Sequence, residues 1–175
     1  MIPGILIALL TFPGIIVHES AHLLFCRLRR VAVFDACFLR VGNPLGYVVH
    51  ERVTDFVTLW LVSAGPFLVN SVACILLCLP VSVPMKIFGH TDLLSYVLLW
   101  LGLSIGMHAF PSTGDANNIW VAAKEAAHRG NIPAILSFPL VVIIYAANIG
   151  RFFWLDYAYG AAIGLGLPEL LLKVG

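Results

Sequence analysis

Residues 2–25 read IPGILIALLTFPGIIVHESAHLLF, and Arg27, Arg29 and Arg30 follow at once. The run is long enough to cross a hydrocarbon core, which needs roughly 20 apolar residues in a helix. No Lys or Arg precedes it and it carries His18, Glu19 and His22 inside, so it reads as a retained helix rather than a cleaved leader. The whole chain matches its beginning. Of its 175 residues 61% are hydrophobic and 11% charged, and mean hydropathy is +0.98. A soluble domain is nearer half apolar and a quarter charged. Net charge is +1, which gives no argument for a nucleic-acid partner.

Apolar runs bounded by charge, Pro or Gly predict further spans at residues 56–79, 93–110, 132–149 and 158–172. The last is short, Gly-rich and carries Pro168, so it is either a span or a re-entrant segment. The expected fold is an all-α polytopic membrane bundle of four to five transmembrane helices, with a small β-hairpin between the first two. That hairpin is read from residues 33–41 and 47–52, either side of the turn signal Asn43-Pro44-Leu45-Gly46. The chain is expected to form one domain over residues 1–175, its catalytic core within about 1–130 and additional helices over 131–175, with no separate soluble domain. Arg27, Arg29, Arg30, Arg40 and Arg52 fall between the first two spans, and Lys124, Arg129 and Lys173 fall on the same side when the spans alternate. Lys86 and Arg151 fall opposite. The bias puts the loop after the first helix in the cytosol and the N-terminus outside. Gly160 and Gly164 have the spacing of close helix packing, more often within one chain than between two.

Inside the first span, His18-Glu19-Ser20-Ala21-His22 is an HExxH sequence. Residues i and i+4 share a helix face, so both imidazoles reach one ion. Glu19 stands about 100° round the helix, where a carboxylate can take a proton from water on that ion. Zinc lowers the pKa of such a water toward ~7. Random placement of six His and four Glu gives roughly 0.005 expected matches. His and Glu deep in a span are costly and point to function; the bland alternative is a polar cluster joining helices.

A hydrolytic zinc site has three protein ligands and an open position. The third is expected from the Pro- and Gly-broken stretch after the third span, with Asp115 as first candidate and His108 as second; Asp115 could instead cap a helix over 117–128. His18 lies about 14 Å from the cytosolic end of its span and Gly65 at a similar depth in the next. Cys74 lies about 27 Å into that span, too far to share the ion, so Cys74 and Cys78 read as small buried apolar residues. Gly65 permits close helix approach and Pro66 frees a backbone carbonyl. Asn70 offers an amide to a substrate oxyanion or, equally, to a neighbouring helix. His50, His90 and His128 read as solvated residues in loops or near the membrane surfaces.

Three elements in order resemble the site-2 protease family of intramembrane metalloproteases: HExxH at His18 to His22, Gly-Pro-x-x-x-Asn from Gly65 to Asn70, and an Asp after a Pro-broken span, Pro111 to Asp115. They cover roughly residues 10 to 120. The resemblance implies a three-helix core holding one Zn²⁺ per chain on His18, His22 and Asp115, with Glu19 as general base. It implies cleavage of peptide bonds in or near transmembrane segments of substrate proteins, and a hairpin that presents substrate as an added strand. Gly65, Pro66, His108 and Pro111 would be supporting residues. The pattern departs from the family at His108, where Asn is usual, at Ala116, where Gly follows the aspartate, and in a Pro-to-Asp spacing one residue short. No PDZ or CBS domain is expected. Two other readings stand beside it: a membrane zinc hydrolase of a lipid substrate, and a non-catalytic site-2-like binding protein. The expected partners are a transmembrane protein substrate and the lipid bilayer, with a second copy or a regulatory membrane protein left open.

Overall fold

In the computed structural model, which describes residues 4–89 and 91–174, the first apolar run is two helices, Gly4–Leu10 (α1) and Phe12–Leu28 (α2). The break falls at Thr11, whose hydroxyl donates to the Ile7 carbonyl at 2.8 Å. Pro13 lies in the first turn of α2, where its missing N–H costs nothing.

The expected hairpin is present but shorter. Val33–Cys37 (β1) pairs antiparallel with Tyr47–His50 (β2), from Val33 opposite His50 to Cys37 opposite Tyr47, with an irregularity between Val33 and Asp35. Residues 38–46 form an irregular loop rather than strand and tight turn.

Phe56–Phe88 (α3) runs well past the predicted end at residue 79 and contains Pro66, Pro80 and Pro84. Each proline removes one backbone donor. Contacts with Leu93–Met107 (α4) and the C-terminal helix nevertheless hold the segment helical, a case of packing overriding propensity. Its start is firmly capped: Asp55 accepts from the Thr58 amide at 2.9 Å and hydroxyl at 2.6 Å. The Thr58 bonds hold the Asp55 carboxyl below the usual carboxylate range. Arg29 donates to the Thr58 hydroxyl at 2.8 Å and lies 3.5 Å from Asp55, tying the end of α2 to the start of α3.

Thr113–Ala127 (α5) and Ile132–Gly150 (α6) follow as an antiparallel pair. Polar residues give α5 an apolar face only on one side: Ala116, Ile119 and Ala123 are fully buried against Ala64 of α3 and Ala134 and Val141 of α6. After a 3-10 turn at Arg151–Phe153 the chain continues as Leu155–Ala161 (α7), a π-helical turn at Ala162–Gly166, and Leu167–Val174 (α8). So the doubtful fifth segment is helical and packs on α3 and α4. The glycine pair explains how. A Cβ at Gly160 would meet the Met107 amide nitrogen at 2.9 Å, and one at Gly164 would meet the Cys74 and Cys78 sulfurs at 3.1 Å each. The close packing lies within the chain. Cys74 and Cys78 are free thiols, fully buried at this contact, as small apolar residues are expected to be.

Among the described residues, two helical stretches, Phe56–Ser82 and Ile132–Phe153, are long and apolar enough to cross a membrane. α4 is a shorter apolar helix. His90 and the first residues of the expected first span lie outside the described residues.

Candidate metal centre

His18 and His22 stand one turn apart on α2, each only 8% exposed. The Nδ1 of His18 lies 2.7 Å from the His108 carbonyl oxygen, and the Nδ1 of His22 lies 2.8 Å from that of Val62. A carbonyl only accepts, so both Nδ1 atoms carry hydrogen, and in neutral imidazoles both Nε2 atoms are then bare acceptors. They face each other at 3.2 Å. A carboxylate oxygen of Asp115 lies 3.7 Å from the His22 Nε2, and the ligand atoms of all three residues fall within 4.8 Å of one another.

Lone pairs so placed repel unless a cation sits among them. Two donors at tetrahedral angles, each 2.0–2.1 Å from an ion, lie about 3.3 Å apart. The 3.2 Å separation matches such an edge and the 3.7 Å one is somewhat wider. These three residues could hold one metal ion, and three protein donors would leave a tetrahedral ion's fourth position to another ligand.

The two orienting carbonyls are free for local reasons. The Val62 carbonyl would ordinarily accept from the amide four residues on, but that residue is Pro66 and has no N–H. The carbonyl that Pro66 frees is thus the one that sets the His22 ring. The His108 carbonyl is freed where α4 ends, because the Ser112 amide donates instead to Asp115 at 2.8 Å. Removing an orienting partner typically costs 10–100-fold in metal affinity. Pro66→Ala restores an amide that competes with His22 for Val62, and is expected to weaken metal binding by about 10-fold in a competitive titration. Unchanged affinity would mean that the carbonyl does not orient the ring.

Asp115 is both a helix-capping residue and a member of the cluster. Ser112 is the N-cap of α5, its hydroxyl 3.1 Å from the Asp115 amide, and the Asp115 carboxylate closes a capping box on the Ser112 amide. The cap fixes the carboxylate, and the same oxygen faces His22. His108 is placed differently. Its carbonyl serves His18, while its Nε2 lies 2.9 Å from the Thr11 hydroxyl, so its ring is engaged away from the histidine pair. Pro111 is buried and its carbonyl accepts from Asn148 of α6 at 3.0 Å, which anchors the turn carrying Asp115.

Asn70 is completely buried. Its amide nitrogen lies within 3.3 Å of the carbonyls of Gly14, Ile105 and His108, and it does not line the cavity described below. Of its two expected roles, the structure places it in the helix-joining one. An amide spent on three carbonyls has no donor left for substrate. Gly65 permits the close approach expected of it: a Cβ there would collide with the Phe25 ring of α2. Gly14 does the same between α2 and α4, where a Cβ would strike the Ser104 carbonyl oxygen.

The cluster opens into a cavity of about 620 Å³ bordered by Glu19, the hairpin loop at 43–46, the turn at 112–115, Asn118 and Arg151. Gly46 rests directly on Glu19: a Cβ there would meet the Glu19 Cγ at 2.6 Å and the Cys37 carbonyl oxygen at 3.1 Å. The loop thus packs on the carboxylate beside the two imidazoles. Gly46→Ala must displace one or the other.

Arg151 is the cavity residue that sequence reasoning did not find. It reads as a charge beyond the far end of a span, yet its guanidinium donates to the Phe110 carbonyl at 2.9 Å and lines the same cavity as His18 and Asp115. A single Arg closing a long apolar run was the available signal.

No family model, curated protein or solved structure matches this chain.

Proposed function

We propose that the chain is an intramembrane zinc metalloprotease of the site-2 kind, cutting peptide bonds in or near the transmembrane segments of substrate proteins. The observation that carries this reading is the convergence of two bare Nε2 atoms and a carboxylate at one cavity, with Glu19 packed beside them. A polar cluster serving only to join helices has no need of an open position or a neighbouring base.

Residence in the bilayer is supported by what the surface exposes. Leu68, Val72 and Leu76 of α3 and Leu136, Val142 and Ile143 of α6 are all exposed. Contiguous apolar surface of this kind marks contact with lipid or another protein. The basic residues between α2 and α3 support a cytosolic position for that segment.

In this reading His18, His22 and Asp115 hold the ion, and the Val62 and His108 carbonyls keep the rings aimed. Bound zinc supplies Lewis acidity and makes water a usable nucleophile near neutral pH. Glu19 takes the proton from that water and returns it to the leaving amine. Substrate reaches the site in extended form, since a helical peptide bond is shielded by its own backbone. β2 has one partner, β1, and a groove of about 520 Å³ lies between β2 and α5, lined in part by Val48, His50, Asn118 and Val121. A strand added there leads into the cavity.

The test uses purified protein in liposomes with a reporter transmembrane peptide. One zinc per chain and cleavage within or beside the peptide's apolar segment are expected. A zinc-loaded protein that leaves every transmembrane peptide intact but releases products from lipid amides overturns the substrate class. A protein that takes up no metal overturns the enzyme.

A further inference from the structure

The cavity contains one permanent cation that the roles above leave unused. Arg151 opens the 3-10 turn after α6. Among the described residues its one hydrogen-bond acceptor is the Phe110 carbonyl, 2.9 Å from Nη2. Its Nε is buried with no partner. No carboxylate among the described residues lies within ion-pairing distance of it, although it is in electrostatic reach of Asp156, Asp115, His18 and His108. A guanidinium carries five donors in a rigid fork. The side chain is half-buried, leaving its buried Nε unpaired is costly, and the walls it shares are those of the candidate metal centre. The amide nitrogen of Asn70, the other donor the sequence offers for this purpose, is spent on backbone carbonyls.

We propose that Arg151 donates to the carbonyl oxygen of the scissile amide as negative charge develops on it. This assignment rests on the protease reading. As the water oxygen bonds to the carbonyl carbon, the carbonyl π pair moves onto its oxygen and Glu19 takes the water proton. The pair then returns, the C–N bond breaks, and the amine leaves with the proton from Glu19, one water being consumed. Charge on that oxygen exists only in between, so a donor aimed there acts on the barrier and little on ground-state binding. The Phe110 carbonyl holds one end of the fork where the chain enters the turn that carries Asp115. Arg suits the position better than Lys because its charge is permanent and its geometry planar.

The experiment compares zinc-loaded wild type with Arg151→Met and Arg151→Lys in liposomes. Loss of one such donor costs about 10²–10³ in kcat, and that loss is expected for Arg151→Met with KM little changed and with zinc content and thermal midpoint as in wild type. A second readout needs no turnover. Affinity for a phosphinic peptide, whose tetrahedral oxygens carry the charge in question, should fall by about 100-fold. Affinity for a thiol peptide of the same sequence should hold. If Arg151→Met does not fold, Arg151→Lys decides, with a loss of about tenfold expected against the phosphinic peptide alone. Equal weakening of both inhibitors, loss of zinc, or a wild-type kcat in the variant would make Arg151 a prop for the Phe110 turn and overturn the assignment. Failure of the wild type to cut any peptide is a different outcome, and strikes the protease reading itself.

Discussion

Glu19→Gln is expected to keep its zinc and cut nothing measurable. The substitution preserves shape, so the contact with Gly46 survives, but an amide cannot accept the water proton. General bases contribute typically 10²–10⁴-fold, and single-turnover cleavage with elemental analysis on the same sample reads both halves of the expectation. None of the three proposed ligands changes in this variant, so the metal is expected to stay at one per chain. A Gln variant that turns over at the wild-type rate would remove the base from the mechanism. It would also revive the reading of the chain as a site-2-like binding protein.

His22→Ala is expected to empty the centre. The substitution removes a donor and leaves the Val62 carbonyl, freed by Pro66, with nothing to accept from. Orienting partners alone are worth 10–100-fold in metal affinity, so loss of a direct ligand should exceed about 100-fold. Asp115→Ala is the informative companion. If zinc leaves the first variant and stays in the second, the third ligand is not Asp115, and His108 must turn from Thr11 to replace it. Loss from both supports the set of three. Asp115→Ala also opens the capping box of α5, worth about 1 kcal/mol, so thermal midpoints belong beside the metal counts.

The parts of this site that depend on one helix were readable from the residues alone. The separation of His18 from His22 fixes their shared face, and the hydrophobic run around them fixes their burial, because helical periodicity turns spacing into direction. Chain-breaking residues, rather than periodicity, signalled the hairpin at Asn43-Pro44 and the Asp115 turn at Pro111. What failed were features settled between elements. Sequence could say that Pro66 frees a carbonyl, but only the crossing of α2 and α3 decides that His22 takes it. Asn70 could serve substrate or structure, and the approach of Gly14, Ile105 and His108 to one amide chose structure. Arg151 looked like an end-of-span charge because nothing local says that α6 returns to the level of Phe110. The ends of helices fared likewise. Pro80 predicts a stop, yet α3 continues because its neighbours pack along it, while Thr11 breaks a run that hydropathy alone leaves whole.

The clamping of both imidazoles by main-chain oxygens has a further consequence, for the traffic of the ion. Zinc-finger peptides gain their structure from metal and collapse when it is withdrawn. Here α2 is held by α3 and α4 through contacts that no ligand makes, and main-chain oxygens aim the rings. A chelator should therefore strip this protein to a scaffold still standing, ready to reload without refolding.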